Sequence, residues 1–165
     1  MQKFGTLADA IALAEFAHRN QRDKAEMPYI DHPKRVLATV QAQGARPYVQ
    51  IAAVLHDVIE DTPFDGEDLS RLGFTESAVR LVELLTRRPD VPPQRYYKDI
   101  KNNPDALMIK AADIADNTLE WRITHLDPET QVRLRQKYAK AKEALGLVPV
   151  ENDRGHAIPL PFPLT

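Results

Sequence analysis

The stretch Leu55-His56-Asp57-Val58-Ile59-Glu60-Asp61-Thr62 holds the side chains with most to offer a reaction. On a helix, His56 and Glu60 stand four residues apart and Asp57 three before Glu60, so their side chains cluster. The preceding run Ile51-Ala52-Ala53-Val54-Leu55, continued by Val58 and Ile59, is apolar almost all round and predicts a helix inside the protein. Ionisable groups on such a helix must be paired, protonated or bound to a metal, because an isolated buried charge is costly. His56 and Asp57 offer an imidazole nitrogen and a carboxylate oxygen to the same cation. The expectation is a metal site.

Two further stretches add donors. Pro28-Tyr29-Ile30-Asp31-His32-Pro33 sets a histidine at a helix entrance, and Ile109-Lys110-Ala111-Ala112-Asp113-Ile114-Ala115-Asp116-Asn117 sets Asp113 on an apolar helix with Asn117 one turn later. His32, His56, Asp57 and Asp113 together are two imidazoles and two carboxylates on three helices. The chain has no cysteine, which excludes disulfides and thiolate ligands. Histidine, carboxylate and water then suit Mn, Mg, Fe or Zn rather than a structural zinc knot.

The elements that must position these residues read as helices throughout. Thr6-Leu7-Ala8-Asp9 resembles a capping box opening a first helix that ends near Arg19 and turns Leu7, Ile11, Ala14 and Phe16 to the core. Pro33 fits the first position of a second helix, with His32 as its cap and Gly44 as its stop. Pro47 opens a third, which runs through the central stretch and ends before Pro63. Shorter helices are predicted over 67–72, from Thr75 past Leu85, and over 94–101. Pro104 begins another that reaches about Trp121, and Asp127-Pro128 caps the last, which stops at Gly146.

This is an all-α, single-domain bundle of about seven to eight helices over residues 1–147, with no strand signal. A Pro-rich tail covers 148–165, where Ile158-Pro159-Leu160-Pro161-Phe162-Pro163 favours extended polyproline II over helix. With 165 residues the chain has room for one real core. A net charge of −2 with scattered Lys and Arg gives no basic footprint for nucleic acid or for a membrane surface. No signal pattern or membrane-length apolar run is present, so a cytoplasmic protein is expected, one whose sequence leaves open a homo-oligomer.

Taken in order, Ala17-His18-x-x-Gln21, Pro28-Tyr29-Ile30-x-His32-Pro33, Ala53-x-Leu55-His56-Asp57-Val58-Ile59-Glu60-Asp61-Thr62 and Ile109-Lys110-x-Ala112-Asp113-x-x-x-Asn117 make the sequence resemble the HD superfamily of metal-dependent phosphohydrolases. Within it, the chain is most similar to small stand-alone members of the RelA/SpoT-like hydrolase branch. The resemblance implies that His32, His56, Asp57 and Asp113 ligate a single metal, with Mn²⁺ the usual ion. It implies that Glu60 and Asp61 are the catalytic pair of a working hydrolase, that Asn117 contacts substrate near the ribose, and that Lys24 contacts the nucleotide. The expected activity is removal of the 3′-pyrophosphate from (p)ppGpp-like alarmones.

Physical chemistry supports the same division of labour. A cation held by four protein ligands keeps positions open for water and a phosphate oxygen, lowers the pKa of bound water and polarises the phosphoryl group. Glu60 and Asp61, a turn beyond, can orient that water or protonate the leaving oxygen. Lys24 and Arg22, with Lys110, can neutralise phosphate charge. His18 reads as a core histidine rather than a ligand. Asp23 stands where long bifunctional members carry an arginine, and Asp23 and Glu26 add negative charge where guanine and phosphate contacts are expected. Two alternatives follow: the same site acting on another nucleotide, an adenine alarmone or a 5′-nucleotide, or a nucleotide-binding regulatory module without turnover.

Overall fold

A computed structural model of the protein describes residues 5–147. Thr6 caps α1 (Leu7–Ala17) through the reciprocal bonds of a capping box with Asp9. The next helices are α2 (Asp31–Ala42), α3 (Pro47–Leu55) and α4 (Val58–Asp61). After them come α5 (Gly66–Arg71), capped by Asp65, and α6 (Glu76–Leu85), capped by Thr75. The series ends with α7 (Pro93–Lys101), α8 (Pro104–Asn117), α9 (Glu120–Ile123) and α10 (Pro128–Leu145). Asp127 caps α10 and Gly146 ends it in the left-handed conformation at φ 70°, which costs glycine little. An isolated bridge between Arg22 and Pro28 is the sole β pairing among the described residues, so the fold is all-α as expected.

The apolar run of α3 makes it the central helix. Val49 and all of Ile51 through Leu55 are buried, and α1, α2, α6 and α8 pack around them. Against that helix lie Val36 and Val40 of α2, Val82 of α6 and Ile109 of α8, each with no exposed surface. Truncating Leu55 or Ile109 to alanine would cost roughly 2–5 kcal/mol, because lost burial and an unfilled cavity add. Two of the three donor-bearing segments, at the start of α2 and on α8, thus border the segment that follows α3.

Four sequence expectations are corrected. The third helix does not run unbroken to Pro63: it stops at Leu55, and α4 restarts at Val58. The His56 ring takes the carbonyl of Ala53 through Nδ1 at 2.7 Å, a carbonyl that an unbroken helix gives to the N–H of Asp57. Asp57 accordingly flattens to φ −101°, ψ −3°. The helix from Pro104 ends at Asn117 rather than near Trp121: the Thr118 hydroxyl reaches the Ala115 carbonyl that Leu119 would take in a continuing helix, and the Leu119 N–H turns to Asp116 O instead. With these two breaks the expected seven to eight helices become ten helical segments among the described residues.

At α2 the cap is Ile30, with His32 and Pro33 inside the first turn. A proline is tolerated there because the first N–H groups of a helix have no partner within it. Phe16, placed in the core by its spacing, is 54% exposed. The buried line of α1 is Ala10 and Ala14, and Phe16 instead lies edge-on to Phe64 beneath Arg19. The Pro-rich tail lies outside the described residues.

Candidate active site

The break after Leu55 is what turns two neighbouring residues toward one centre. His56 uses Nδ1 on Ala53 O, and His32 brings Nδ1 to 2.6 Å from Asp116 Oδ2. Carbonyl and carboxylate oxygens only accept, so each ring carries a proton on Nδ1 and turns Nε2 inward. There the Nε2 of His32 lies 3.0 Å from Asp113 Oδ1. The Nε2 of His56 lies 3.0 Å from Asp57 Oδ2 and 3.6 Å from Asp113 Oδ1. Asp57 Oδ2 is also 3.7 Å from His32 Nε2.

Donor atoms of His32, His56 and Asp113 all fall within 4.8 Å of one another, and the three residues are buried. Among the described residues, His56 Nε2 is, like His18 Nε2, a buried ring nitrogen without a well-aligned hydrogen bond, but His56 Nε2 alone of the two faces carboxylates. Two imidazole nitrogens and two carboxylates converging on one point fit a single divalent cation with positions left over for oxygen ligands.

The shell around these donors is built of charge. Asp116, which orients His32, accepts from Arg35 Nε at 2.6 Å and from Arg122 Nη1 at 2.5 Å. Tyr29 donates its hydroxyl to Asp57 Oδ2 at 2.6 Å. Lys110 Nζ lies 2.7 Å from Asp113 Oδ2, and Asn117 Nδ2 donates to Asp113 Oδ1 at 2.8 Å. Burial alone would raise the Asp113 carboxyl, but Lys110 and the two histidines hold it well below the usual carboxylate range. Burial likewise opposes charging His32 and His56, yet the surrounding carboxylates lift both above the ordinary histidine value. With no cation bound, protons serve as the positive charge at this centre.

A cleft of about 380 Å³ opens over the donors. Asp57 and Asp113 line it together with Glu60 and Asp61, and with four cationic side chains, Lys24, Arg87, Lys110 and Lys137. Burial, then the neighbouring Asp57 and Glu60, push Asp61 up to about 6. Glu60 Oε1 accepts the backbone N–H of Arg87 at 2.6 Å, and the Arg87 guanidinium lies 4.8 Å over the Tyr96 ring. A cavity of about 100 Å³ adjoins the cleft, with which it shares Lys24, Asn117 and Tyr138.

The structure therefore gathers His32, His56, Asp57, Asp113, Glu60, Asp61, Lys24, Lys110 and Asn117 around one cleft. It does not bring in Arg22, whose guanidinium donates to Glu26 O at 3.0 Å instead. The loop reverses through Glu26 at φ 62° and the bridge from Arg22 to Pro28, which delivers that carbonyl to Arg22. His18 is a buried core histidine beside Tyr29, with Nδ1 2.7 Å from Gln21 Oε1. Sequence reasoning missed Asp116, Arg122, Arg87 and Lys137. Only Asp116 carried a signal, an acid three residues after Asp113 on one helix; Arg122 lies past the end of that helix, and Arg87 and Lys137 are more than twenty residues from Asp113.

Comparison with known proteins places this geometry among relatives. The profile of the HD domain matches residues 10–116. The chain is 32% identical over 156 residues to guanosine-3′,5′-bis(diphosphate) 3′-pyrophosphohydrolase MESH1 of Drosophila melanogaster, covering 89% of this chain and 84% of that protein. It is 27% identical over 154 residues to the bifunctional (p)ppGpp synthase/hydrolase SpoT of Escherichia coli (strain K12), covering 86% of this chain but 22% of that much longer protein. A solved structure described as a metazoan ortholog of SpoT that hydrolyzes ppGpp superposes with a TM-score of 0.71 at 27% identity, covering 84% of each chain. No helix of the described residues is long and apolar enough to cross a membrane.

Proposed function

This chain belongs to the HD-domain family, and on that footing we propose that it is a metal-dependent phosphohydrolase that removes the 3′-pyrophosphate from (p)ppGpp-like nucleotides. The observation that carries this reading is the convergence of two inward-facing Nε2 atoms with Asp57 and Asp113 beneath a cleft lined by four cationic side chains. Supporting it is the name of the relative that matches along most of its length, a 3′-pyrophosphohydrolase of guanosine-3′,5′-bis(diphosphate).

In this reading His32, His56, Asp57 and Asp113 hold one divalent ion, which we take to be Mn²⁺. When bound, the ion supplies Lewis-acid polarisation of the phosphoryl group and an acidified water. Lys24, Arg87 and Lys137, and Lys110 through the charge it shares with Asp113, oppose the charge of the phosphates and hold the pyrophosphoryl group in line. Water attacks the phosphorus attached to the ribose 3′ oxygen, the bond from phosphorus to that oxygen breaks, and the 3′ oxygen leaves as a hydroxyl after gaining a proton. Glu60 and Asp61 perform the proton transfers. A carboxyl lifted to about 6 is suited to exchange protons near neutrality. Asn117, held against Asp113, is the candidate contact to the ribose.

The experiment is turnover of a nucleotide panel that includes ppGpp, adenine alarmones and 5′-nucleotides by metal-stripped protein supplied with Mn²⁺, with products resolved by ion exchange. GDP and pyrophosphate released from ppGpp, and lost in Asp57→Ala, support the reading. Turnover confined to another nucleotide would move the substrate and keep the site. Asp23 is the feature that favours such an outcome, since it sets a carboxylate on the smaller cavity beside the cleft.

A further inference from the structure

Arg122 connects two parts of the molecule that the proposed reaction needs together. One nitrogen, Nη1, lies 2.5 Å from Asp116 Oδ2, the oxygen that also takes His32 Nδ1 at 2.6 Å. The other, Nη2, lies 3.2 Å from Asp23 Oδ2. Asp23 in turn organises its own loop, because its Oδ1 accepts the N–H groups of Ala25 at 2.8 Å and Met27 at 3.0 Å. The next residue in that loop is Lys24, which lines the cleft. The side chains of Arg122, Asp23 and Asp116 are 11%, 10% and 6% exposed. This is a largely sequestered chain of charge-assisted bonds, with Asp116 buried and Arg122 and Asp23 partly so, rather than a solvated surface pair.

We propose that Arg122 is a positioning residue that couples the Lys24 loop to the metal centre through Asp23 on one side and Asp116 and His32 on the other. It rests on the reading of His32 as a metal ligand. A planar guanidinium suits this role, since its nitrogens diverge at fixed angles and address two carboxylates at once, which an ammonium on a flexible stem does not. The coupling runs both ways. A cation on His32 Nε2 makes Nδ1–H a stronger donor, tightens its bond to Asp116 and fixes Arg122. A fixed Arg122 holds Asp23, and Asp23 holds the loop that carries Lys24 toward the phosphates. The acid at position 23, which the sequence presented as a departure from the pattern of its relatives, is thereby explained: it is the loop's attachment to Arg122.

The test measures metal binding and loop order without any nucleotide. Mn²⁺ affinity is read by electron paramagnetic resonance, and amide exchange over residues 21–28 is followed with and without the ion. In the unaltered protein Mn²⁺ slows exchange in the loop. In Asp23→Asn, which keeps the Oδ1 acceptor for Ala25 and Met27 but loses the Oδ2 partner of Arg122, the loop responds to Mn²⁺ no longer. Arg122→Lys, which keeps the charge and loses the fork, weakens Mn²⁺ binding about tenfold, in the range known for residues behind a metal ligand.

A residue that merely stabilises the fold would loosen the loop equally with and without the ion, and that result overturns the coupling. So does unchanged Mn²⁺ affinity in Arg122→Lys. With a turned-over nucleotide, each variant raises KM more than it lowers kcat, and the double variant is no worse than Arg122→Lys alone. If ppGpp is not hydrolysed while the Mn²⁺-dependent loop protection appears and vanishes as described, the substrate assignment fails and the coupling stands.

Discussion

Lys110 Nζ lies 2.7 Å from Asp113 Oδ2 while Asp113 Oδ1 faces His32 Nε2 at 3.0 Å, so a single carboxylate joins a fixed cation to the candidate metal centre. Lys110 is held charged, because its attraction to Asp113 overcomes the burial that would otherwise discharge it. Replacing it with methionine leaves a buried carboxylate without its partner, a loss of about 3 kcal/mol. Lys110→Met is therefore expected to melt well below the unaltered protein when metal-free. Added Mn²⁺ recovers more of that loss than it adds to the unaltered protein, since the ion supplies the missing charge. Paired thermal melts with and without Mn²⁺ measure this difference.

Tyr29 fixes Asp57. Its hydroxyl donates to Oδ2 at 2.6 Å, and burial with the nearby Asp57 charge pushes the phenol far above its ordinary value, so it acts only as a donor here. Tyr29→Phe removes one bond to a charged acceptor, worth about 2 kcal/mol of stability, and frees the carboxylate to turn. A fall of about tenfold in Mn²⁺ affinity is expected, by the reasoning that applies to groups supporting a ligand. Calorimetric titration of the variant checks it.

The protons on His32 and His56 must leave when a cation arrives. Burial acts against these protons, but the carboxylates around the rings outweigh it and raise both histidines above 6.5. Metal binding therefore releases protons, and Mn²⁺ affinity falls as pH falls. For the metal-free protein the sign is fixed as well. A raised histidine pKa contributes stability that is complete below the unfolded value and is lost as pH rises through the folded one. The gap in melting temperature between loaded and metal-free protein is expected to widen from about pH 6.5 upward, the unfolded histidine value, measured at fixed free Mn²⁺.

Asp61 runs the other way from most carboxylates of the site. Burial and the charges of Asp57 and Glu60 lift it from 3.8 to about 6. Its ionised form thus strains the fold, with the penalty absent at low pH and reached above about pH 6. In metal-free protein, Asp61→Asn is expected to raise the melting temperature at pH 7.5 by a few degrees, a gain that disappears toward pH 4. The same variant should lower turnover by roughly 10²-fold or more, the cost of losing an acid–base group. Melts across pH, with one rate measurement, separate the two effects.

Much of the fold was legible because its signals are local. The Thr6–Asp9 capping box, Thr75, Asp127-Pro128 and Gly146 each mark an end within four residues of chain, and the structure uses all of them. The break at His56 was not legible, since the apolar periodicity of Ile51 through Ile59 continues through it. What ends the helix is a side chain competing for a backbone carbonyl. The inward donors came from motif order. Their supports did not: Asp116 meets His32 across 84 positions and Arg122 meets Asp23 across 99, and no spacing rule reaches so far. Arg22 misled because charge type shows in sequence, whereas the local acceptor that occupies it, Glu26 O, depends on a loop geometry that does not.

In the proposed reaction water attacks phosphorus, not carbon, at the 3′ position, and a cation on His32, His56, Asp57 and Asp113 is required. Hydrolysis of ppGpp by Mn²⁺-loaded protein in ¹⁸O-enriched water, with both products weighed by mass spectrometry, tests it directly. One ¹⁸O in pyrophosphate, none in GDP, and no turnover in Asp57→Ala is the expected result. Label in GDP, or unchanged turnover in Asp57→Ala, would contradict it.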